Sequence, residues 1–244
     1  MEQLGTLSRL RRYPVKGMAG EDLDAARVSF AGLTGDRVYA FVDNGNRSNS
    51  PWMTSRRGRA LLLFRPRFLA LPALDAEYPG VGDYAAEVLT PEGETFRVDD
   101  PLFTQHLERR FGRSLRMRFS ERSMTDARPV SIFGLSTIAA LSSESGIDLD
   151  ARRFRANFYV KWDDEAPFFE DRLVGRELRI GETVTLQVVK QNLRCVVITL
   201  DPDTAAPSPQ VLEKVSHEHG GCVGVYAAIL REGIVRAGDA IYAA

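Results

Sequence analysis

The chain has 244 residues, with 32 basic and 33 acidic side chains and a formal charge of −1. That balance supplies no field to attract a polyanion, so nucleic acid is not an expected partner. Two cysteines, Cys195 and Cys222, are too few for a disulfide-rich scaffold or for an iron–sulfur cluster held by four thiolates. No apolar run reaches the length of a membrane span. The residues after Arg11-Arg12 are too polar for an export signal. The expectation is a reduced, cytoplasmic protein with no membrane partner. An apolar fraction of 44% and this length suit one large β domain or two ordinary ones. The basic side is lopsided, with four lysines against 28 arginines. Arginine's planar fork suits phosphate and carboxylate, although a coding bias toward arginine would produce the same excess.

In chain order, Leu4 to Tyr13 alternates as a strand and stops at Pro14. Lys16-Gly17-Met18-Ala19-Gly20 reads as a loop carrying one cation. Ala26 to Phe30 is a strand, Gly32 and Gly35 bracket a turn, and Arg37 to Val42 is a further strand. Asp43-Asn44-Gly45-Asn46 closes it with the strongest hairpin signal in the chain, since Asn-Gly accepts positive φ. Leu61 to Phe64 and Phe68 to Leu71 flank Pro66. Glu87 to Thr90 and Glu94 to Val98 form a hairpin around Pro91-Glu92-Gly93. Pro101 to Phe111 has helical spacing, with Gly112 as the stop. Ser114 to Arg122 alternates apolar and basic residues, as a strand with one wet face does. The polar segment from Ser120 to Arg128 marks a boundary, dividing the chain into residues 1–122 and 123–244.

The second half opens with a strand at Pro129 to Ile132 and a helix at Ser136 to Ser145, with Gly146 past its end. Arg152 to Val160 alternates and predicts a strand that puts Arg155 and Asn157 on one face. Glu177 to Ile180 and Thr183 to Val189 pair across Gly181-Glu182. A strand at Val196 to Leu200 follows Cys195. Pro209 to His217 is a helix, and two final strands are joined by Arg231-Glu232-Gly233. Short strands, frequent turns and few helices predict a mainly β barrel architecture with a few short helices.

The chain's chemistry concentrates in LQVVKQNLRCVVITLDPDTA (186–205). Cys195 sits between two apolar runs, with Lys190 and Arg194 beside it. Such cations favour a thiolate, which is both a nucleophile and a soft metal ligand. A small apolar residue in a core strand is the competing reading. His217, His219 and Cys222 are one ligand short of a closed zinc site, and the segment reads better as a helix end and glycine turn. Cys222 is expected to pack as a small apolar residue. Asp201-Pro202-Asp203 reads as a turn, and Gly32 with Gly35 is no nucleotide fingerprint.

Seven motifs occur in order: YPVKG (13–17), GLTGDRVYAFVD (32–43), MTSR (53–56), RFRANFYV (153–160), EDRLVGRELRIG (170–181), NLRC with TLDPDT (192–204), and GVYAAILREGIVRAGDAIY (224–242). Together they resemble the MOSC family, the C-terminal domain of molybdenum cofactor sulfurases, preceded by the N-terminal β-barrel region found in its relatives. The family includes the mitochondrial amidoxime reducing component and bacterial N-hydroxyl reductases. The resemblance implies a MOSC-type β-barrel with a smaller N-terminal β-barrel-like domain. It implies molybdenum cofactor (molybdopterin) as the ligand, with a cysteine in the position of Cys195 on the metal. It assigns cofactor contacts to Lys16, Arg37, Thr54, Arg56, Arg155, Asn157 and Arg194. For each of these a plain solvated strand end or outer face is the alternative. Three departures bear on substrate choice, one being that a serine early in the first helix of the second half has no unique counterpart, Ser136 and Thr137 both answering to it. Leu193 stands where amidoxime reducing relatives have a serine, and Trp162 to Glu165 looks like an insertion.

Three functions follow. The first is a reductase of small N-hydroxylated substrates, with Cys195 as metal ligand and catalytic centre. Its electrons would come from a separate flavoprotein or iron–sulfur protein, because two cysteines hold no cluster and no dinucleotide fingerprint is present. The second is a sulfur or cofactor carrier using Cys195; the pyridoxal phosphate domain that accompanies MOSC in the sulfurases has no counterpart in this sequence. The third is a non-catalytic anion-binding barrel with a structural cysteine.

Overall fold

Alternation of apolar residues along the longest strands builds the main body of the protein. The computed structural model describes residues 2–76 and 80–244. Seven strands close into a barrel. Going round it, the order is Phe158–Trp162, Val130–Gly134, Cys222–Arg231, Val184–Leu193, Glu177–Ile180, Ala240–Ala243 and Gln3–Arg12. Gln3–Arg12 then pairs back onto Phe158–Trp162, with Leu7 opposite Val160 and Leu10 opposite Phe158. All neighbours are antiparallel except Val130–Gly134 with Phe158–Trp162. Closure leaves no unpaired edge, and the inward positions fill the interior with Leu7, Leu10, Ile132, Phe158, Leu186, Val188, Val225 and Ile241. A strand from the very start of the chain thus completes the barrel formed by the second half. Gly233–Arg236 reaches the other way and pairs with Ala25–Ser29.

The first half has its own core around Phe41, Phe64, Phe103 and Leu107. It holds the pair Tyr39–Asp43 with Leu115–Phe119, the sheet Arg65–Phe68, Ala86–Leu89, Thr95–Arg97, and helix α1 (Pro101–Phe111). Asp100 caps α1 by accepting from the Leu102 N–H at 2.8 Å, Pro101 starts it, and Gly112 ends it at φ 63°. Helices α2 (Leu135–Ser145) and α3 (Gln210–Glu218) cover one side of the barrel through Phe133, Leu141, Tyr159, Val211 and Val215. No helix of the described residues is long and apolar enough to cross a membrane.

Six local expectations are corrected. Asn44-Gly45 does not form a tight positive-φ hairpin turn. The chain returns over a longer loop to a single antiparallel bridge, Val42 with Trp52, and the main partner of Tyr39–Asp43 is distant Leu115–Phe119, where Phe41 and Leu115 join one core. Asp43 instead forms a side-chain turn, its Oδ1 accepting from the Gly45 N–H at 3.1 Å. Leu61 to Phe64 is not a strand; Arg59–Leu63 is a 3₁₀ turn, and Arg65–Phe68 carries Pro66 on the sheet's edge, where its missing N–H costs no ladder bond. The strand expected from Arg37 begins only at Tyr39, because Arg37 turns with φ 51°. The strand expected from Arg152 to Val160 is interrupted. Asp150 accepts from the Arg152 N–H at 2.7 Å and opens a 3₁₀ turn over Ala151–Phe154, Arg155 follows at φ 52°, and the strand starts at Phe158. Val196–Thr199 is likewise a 3₁₀ turn, closed by Thr199 Oγ1 donating to the Val196 carbonyl at 2.8 Å. Its burial is one-sided at a helical rather than a strand period, with Val196 exposed and Ile198 and Thr199 buried. The two final strands expected are three: Cys222–Arg231 stays in the barrel, Gly233–Arg236 leaves it, and Ala240–Ala243 returns to it between Glu177–Ile180 and Gln3–Arg12.

Candidate functional site

The two motif-rich turns just described face one cleft. Its lining includes Lys16, Arg37, Thr54, Arg56, Arg155, Asn157, Arg194 and Cys195, all eight of the sequence-assigned residues. The first four come from the N-terminal half and the rest from the barrel half. The cleft encloses about 800 Å³ including its open mouth, within the size range of small-ligand sites.

Arg37 and Arg155 flank Tyr13. Their guanidinium carbons lie 4.5 and 4.3 Å from the ring centroid. Arg37 pairs with the fully buried Asp36 and donates to the Arg155 carbonyl at 3.1 Å. Asp36 in turn accepts from the Tyr13 N–H at 2.8 Å, so the positive-φ turn at Arg37 is locked to the end of the first strand. Arg155 owes its direction to its own positive φ rather than to a strand face, so the shared face with Asn157 does not exist. Among the described residues its buried Nη2 has no hydrogen-bond partner. Burial pulls its pKa down to about 10, and it remains cationic at neutral pH.

Lys16 is buried, with its ammonium donating to the Met124 carbonyl at 2.7 Å and to Asp126 at 2.6 Å. Burial lowers its pKa, with Asp126 acting in the opposite sense. Thr54 and Arg56 sit in a turn closed by the Arg57 N–H on the Thr54 carbonyl at 2.8 Å, not on a strand, and both still reach the cleft. Arg56 is exposed and lies 3.6 Å from Asp126. Asn157 is almost wholly committed to the fold. Its Oδ1 accepts from the Ser131 N–H and hydroxyl at 3.2 and 3.1 Å, and its Nδ2 donates to the Arg11 carbonyl at 3.2 Å, leaving one amide hydrogen free.

Cys195 is a free, half-buried thiol between the end of Val184–Leu193 and the 3₁₀ turn. Lys190 is exposed on its strand and does not line the cleft, which corrects its expected place beside the thiol. Arg194 is partly committed to the backbone, with its Nη2 hydrogens left over among the described residues. Nε donates to the Val223 carbonyl at 2.8 Å and Nη1 to the Phe154 carbonyl at 2.9 Å. It is a strut that joins three segments under Cys195, and burial lowers its pKa. Cys222 lies outside the cleft lining; it is half-buried, not a core residue.

Sequence reasoning missed Asp126, Arg128, Arg153 and Tyr226, which also line the cleft. The first two lie in the polar segment read as a boundary, and that polarity was the available signal. Arg153 lies beside Arg155 in RFRAN and donates to the Thr199 carbonyl at 2.6 Å. Tyr226 carried no signal within its apolar strand.

Residues 120–242 match the MOSC domain, half of the chain, and residues 4–105 match the MOSC N-terminal beta barrel domain. The chain belongs to the MOSC family. The mitochondrial amidoxime reducing component 2 of Bos taurus is similar at 23% identity, over 99% of this chain and 84% of that protein. The molybdenum cofactor sulfurase of Drosophila grimshawi is similar at 27% identity over 92% of this chain. This chain spans only 32% of that sulfurase's length. The YuaD protein from Bacillus subtilis shares the fold, with a TM-score of 0.52 over 98% of this chain and 94% of that one, at 14% identity. This MOSC chain is therefore related to proteins associated with molybdenum cofactor.

Proposed function

We propose that the cleft binds molybdenum cofactor through Cys195 and that the protein reduces small N-hydroxylated substrates. The observation that carries this reading is a half-buried soft donor facing the same cleft as a buried arginine nitrogen with nothing to bond. A buried donor left without an acceptor is costly, so the Arg155 nitrogen fits an anionic guest. The thiol suits molybdenum because soft metals select sulfur. The donor set thus fits a ligand with both a soft metal and a phosphate.

In this reading Cys195 holds the metal as its thiolate. Lys16, Arg37, Arg56 and Arg155 hold the phosphate, in charge-assisted contacts worth roughly 1.5–3 kcal/mol each. Thr54 and the one free Asn157 amide hydrogen suit the polar edges of the pterin. Arg194 keeps the turn under Cys195 rigid by its three backbone attachments, two from its side chain and one from its own N–H to the Gly221 carbonyl at 2.8 Å. When bound, the group supplies two-electron redox chemistry. The chain's residues would bind and orient, and Leu193 and Val197 would keep an apolar surface beside the thiol for the body of the substrate. The bovine relative's name supplies amidoxime reduction as the reaction to try first. With Cys195 on the metal a single thiol remains, too few for a cluster, so we propose a separate flavoprotein or iron–sulfur donor; a cytoplasmic setting is proposed with it.

The test is molybdenum content after purification from a host that makes the cofactor. Wild type and Cys222→Ser should retain the metal, and Cys195→Ser should lose it. Equal content in both variants would sink the assignment. Loaded protein should reduce a simple amidoxime with an artificial one-electron donor and not with NADH alone. Bound molybdenum with no turnover from any donor would favour the carrier role instead.

A further inference from the structure

The cleft's lining holds seven lysine or arginine side chains and a single carboxylate, Asp126. That carboxylate occupies the cationic end: Oδ1 lies 2.6 Å from the Lys16 ammonium and Oδ2 lies 3.6 Å from Arg56. Lys16 is 5% exposed at its side chain, whereas Asp126 is 54% exposed. The two partners are therefore unequal. A buried ammonium cannot be left without an anion, but a half-exposed carboxylate recovers water on leaving. The chain around Asp126 is free to let it go. The Ser123 and Met124 N–H groups are anchored to the Ala31 and Arg37 carbonyls at 3.1 and 3.0 Å. Among the described residues, 125–128 make no backbone–backbone hydrogen bond before the strand begins at Val130.

We propose that Asp126 is a resident stand-in for a phosphate monoester, occupying the Lys16–Arg56 subsite and leaving it when a phosphate binds. The inference rests on the reading of the cleft as an anion site and adds the residue that sets its specificity. A carboxylate and a phosphate cannot share Lys16 without like-charge repulsion, so binding is an exchange of one anion for another. Lys16 keeps a partner in both states. Weak monoanions compete poorly with a tethered carboxylate, whereas a phosphate dianion carries twice the charge and three acceptor oxygens.

The experiment titrates inorganic phosphate into the apoprotein by calorimetry and follows backbone hydrogen exchange over residues 122–130. Asp126→Asn should bind phosphate about tenfold more tightly than wild type, and Asp126→Glu about as wild type does. Phosphate should speed exchange at residues 125–128 in wild type and leave Asp126→Asn unchanged. A merely structural Asp126 predicts the opposite, weaker binding in the Asn variant. Equal or weaker binding by that variant, no response of the segment, or no phosphate binding by any of the proteins overturns the proposal. Molybdenum retention by wild type and Cys195→Ser tests the cofactor reading separately. Repeating the titration on molybdenum-loaded protein identifies the source of the phosphate. Lost binding places it on the cofactor, and retained binding places it on a substrate; either accords with displacement of Asp126.

Discussion

Two concave surfaces of this protein share Arg155, and they differ in how their charges are settled. The second groove runs past Arg11, Arg65, Arg67 and Arg152. Three of those arginines carry their own acid. Arg11 pairs with Asp22 at 2.9 Å, Arg67 with Glu87 at 2.5 Å, and Arg152 with Asp150 and Asp203 at 2.6 Å each. The cleft lining has a thiol and one carboxylate against seven cations, whereas the groove sets Glu21, Glu87 and Asp203 against five arginines. Among the described residues each surface holds a buried arginine nitrogen without a partner, Arg153 Nε in the cleft, Arg11 Nε in the groove and Arg155 Nη2 in both. The density of arginine is similar in both, and cations of both have acid partners, among them Arg37 with Asp36 and Arg153 with Asp201 in the cleft; what separates the two is the charge balance of the lining and the thiol. A cation that already holds a carboxylate gains little from a ligand, while an unpaired buried donor gains the whole bond. In a chain with 28 arginines this distinction is what picks out a candidate site.

Substitutions on the two sides of Arg155 sharpen that contrast. Arg155→Ala should reduce molybdenum cofactor retention by about 100-fold, the loss of one desolvated charge-assisted contact. Arg152→Ala, in the groove alone, should change retention by less than about twofold. Metal content and phosphate titration measure both, and equal losses would erase the contrast.

The same logic applies to a buried anion. Glu170 is fully buried, accepting from the Gly134 N–H at 3.0 Å and from Thr137 Oγ1 at 3.1 Å, so it caps the start of α2 that Gly134 itself cannot cap. Glu170→Ala leaves that N–H unsatisfied and should cost about 2 kcal/mol in urea unfolding. Its partners are neutral, and burial raises its pKa. The folded state then holds this proton at pH values where the unfolded chain has lost it. Stability from this group should fall as pH rises from the usual glutamate range through the raised value. The difference between wild type and Glu170→Gln isolates that slope, and a rising slope would contradict the burial argument. At the small end, Arg67→Ala should cost at most about 1 kcal/mol and less in high salt, because the Arg67 side chain is largely exposed.

Much of this architecture was legible in the residues. Alternation located most of the barrel strands, and helical spacing with Gly112 and Gly146 located α1 and α2 to within a residue or so. Motif order brought eight residues, from Lys16 to Cys195, to what proved to be one cleft. Periodicity failed where a turn wore a strand's pattern. At Ala151–Phe154 and Val196–Thr199, side-chain bonds from Asp150 and Thr199 favour 3₁₀ turns, and apolar residues there are buried at a different period.

By itself, then, the sequence determined most of the barrel strands, the three helices, the family, and the cysteine in the cleft wall. These follow from local periods and short motifs, which any window of the chain carries. Only the tertiary structure decided that the first strand closes the last strands' barrel, that Arg37 and Arg155 turn with positive φ onto one tyrosine, and that Asp126 reaches Lys16 across 110 residues. Those choices depend on which distant groups must be paired once water is excluded. Burial makes an unpaired edge or charge too costly to keep, and no local pattern encodes the partner that resolves it.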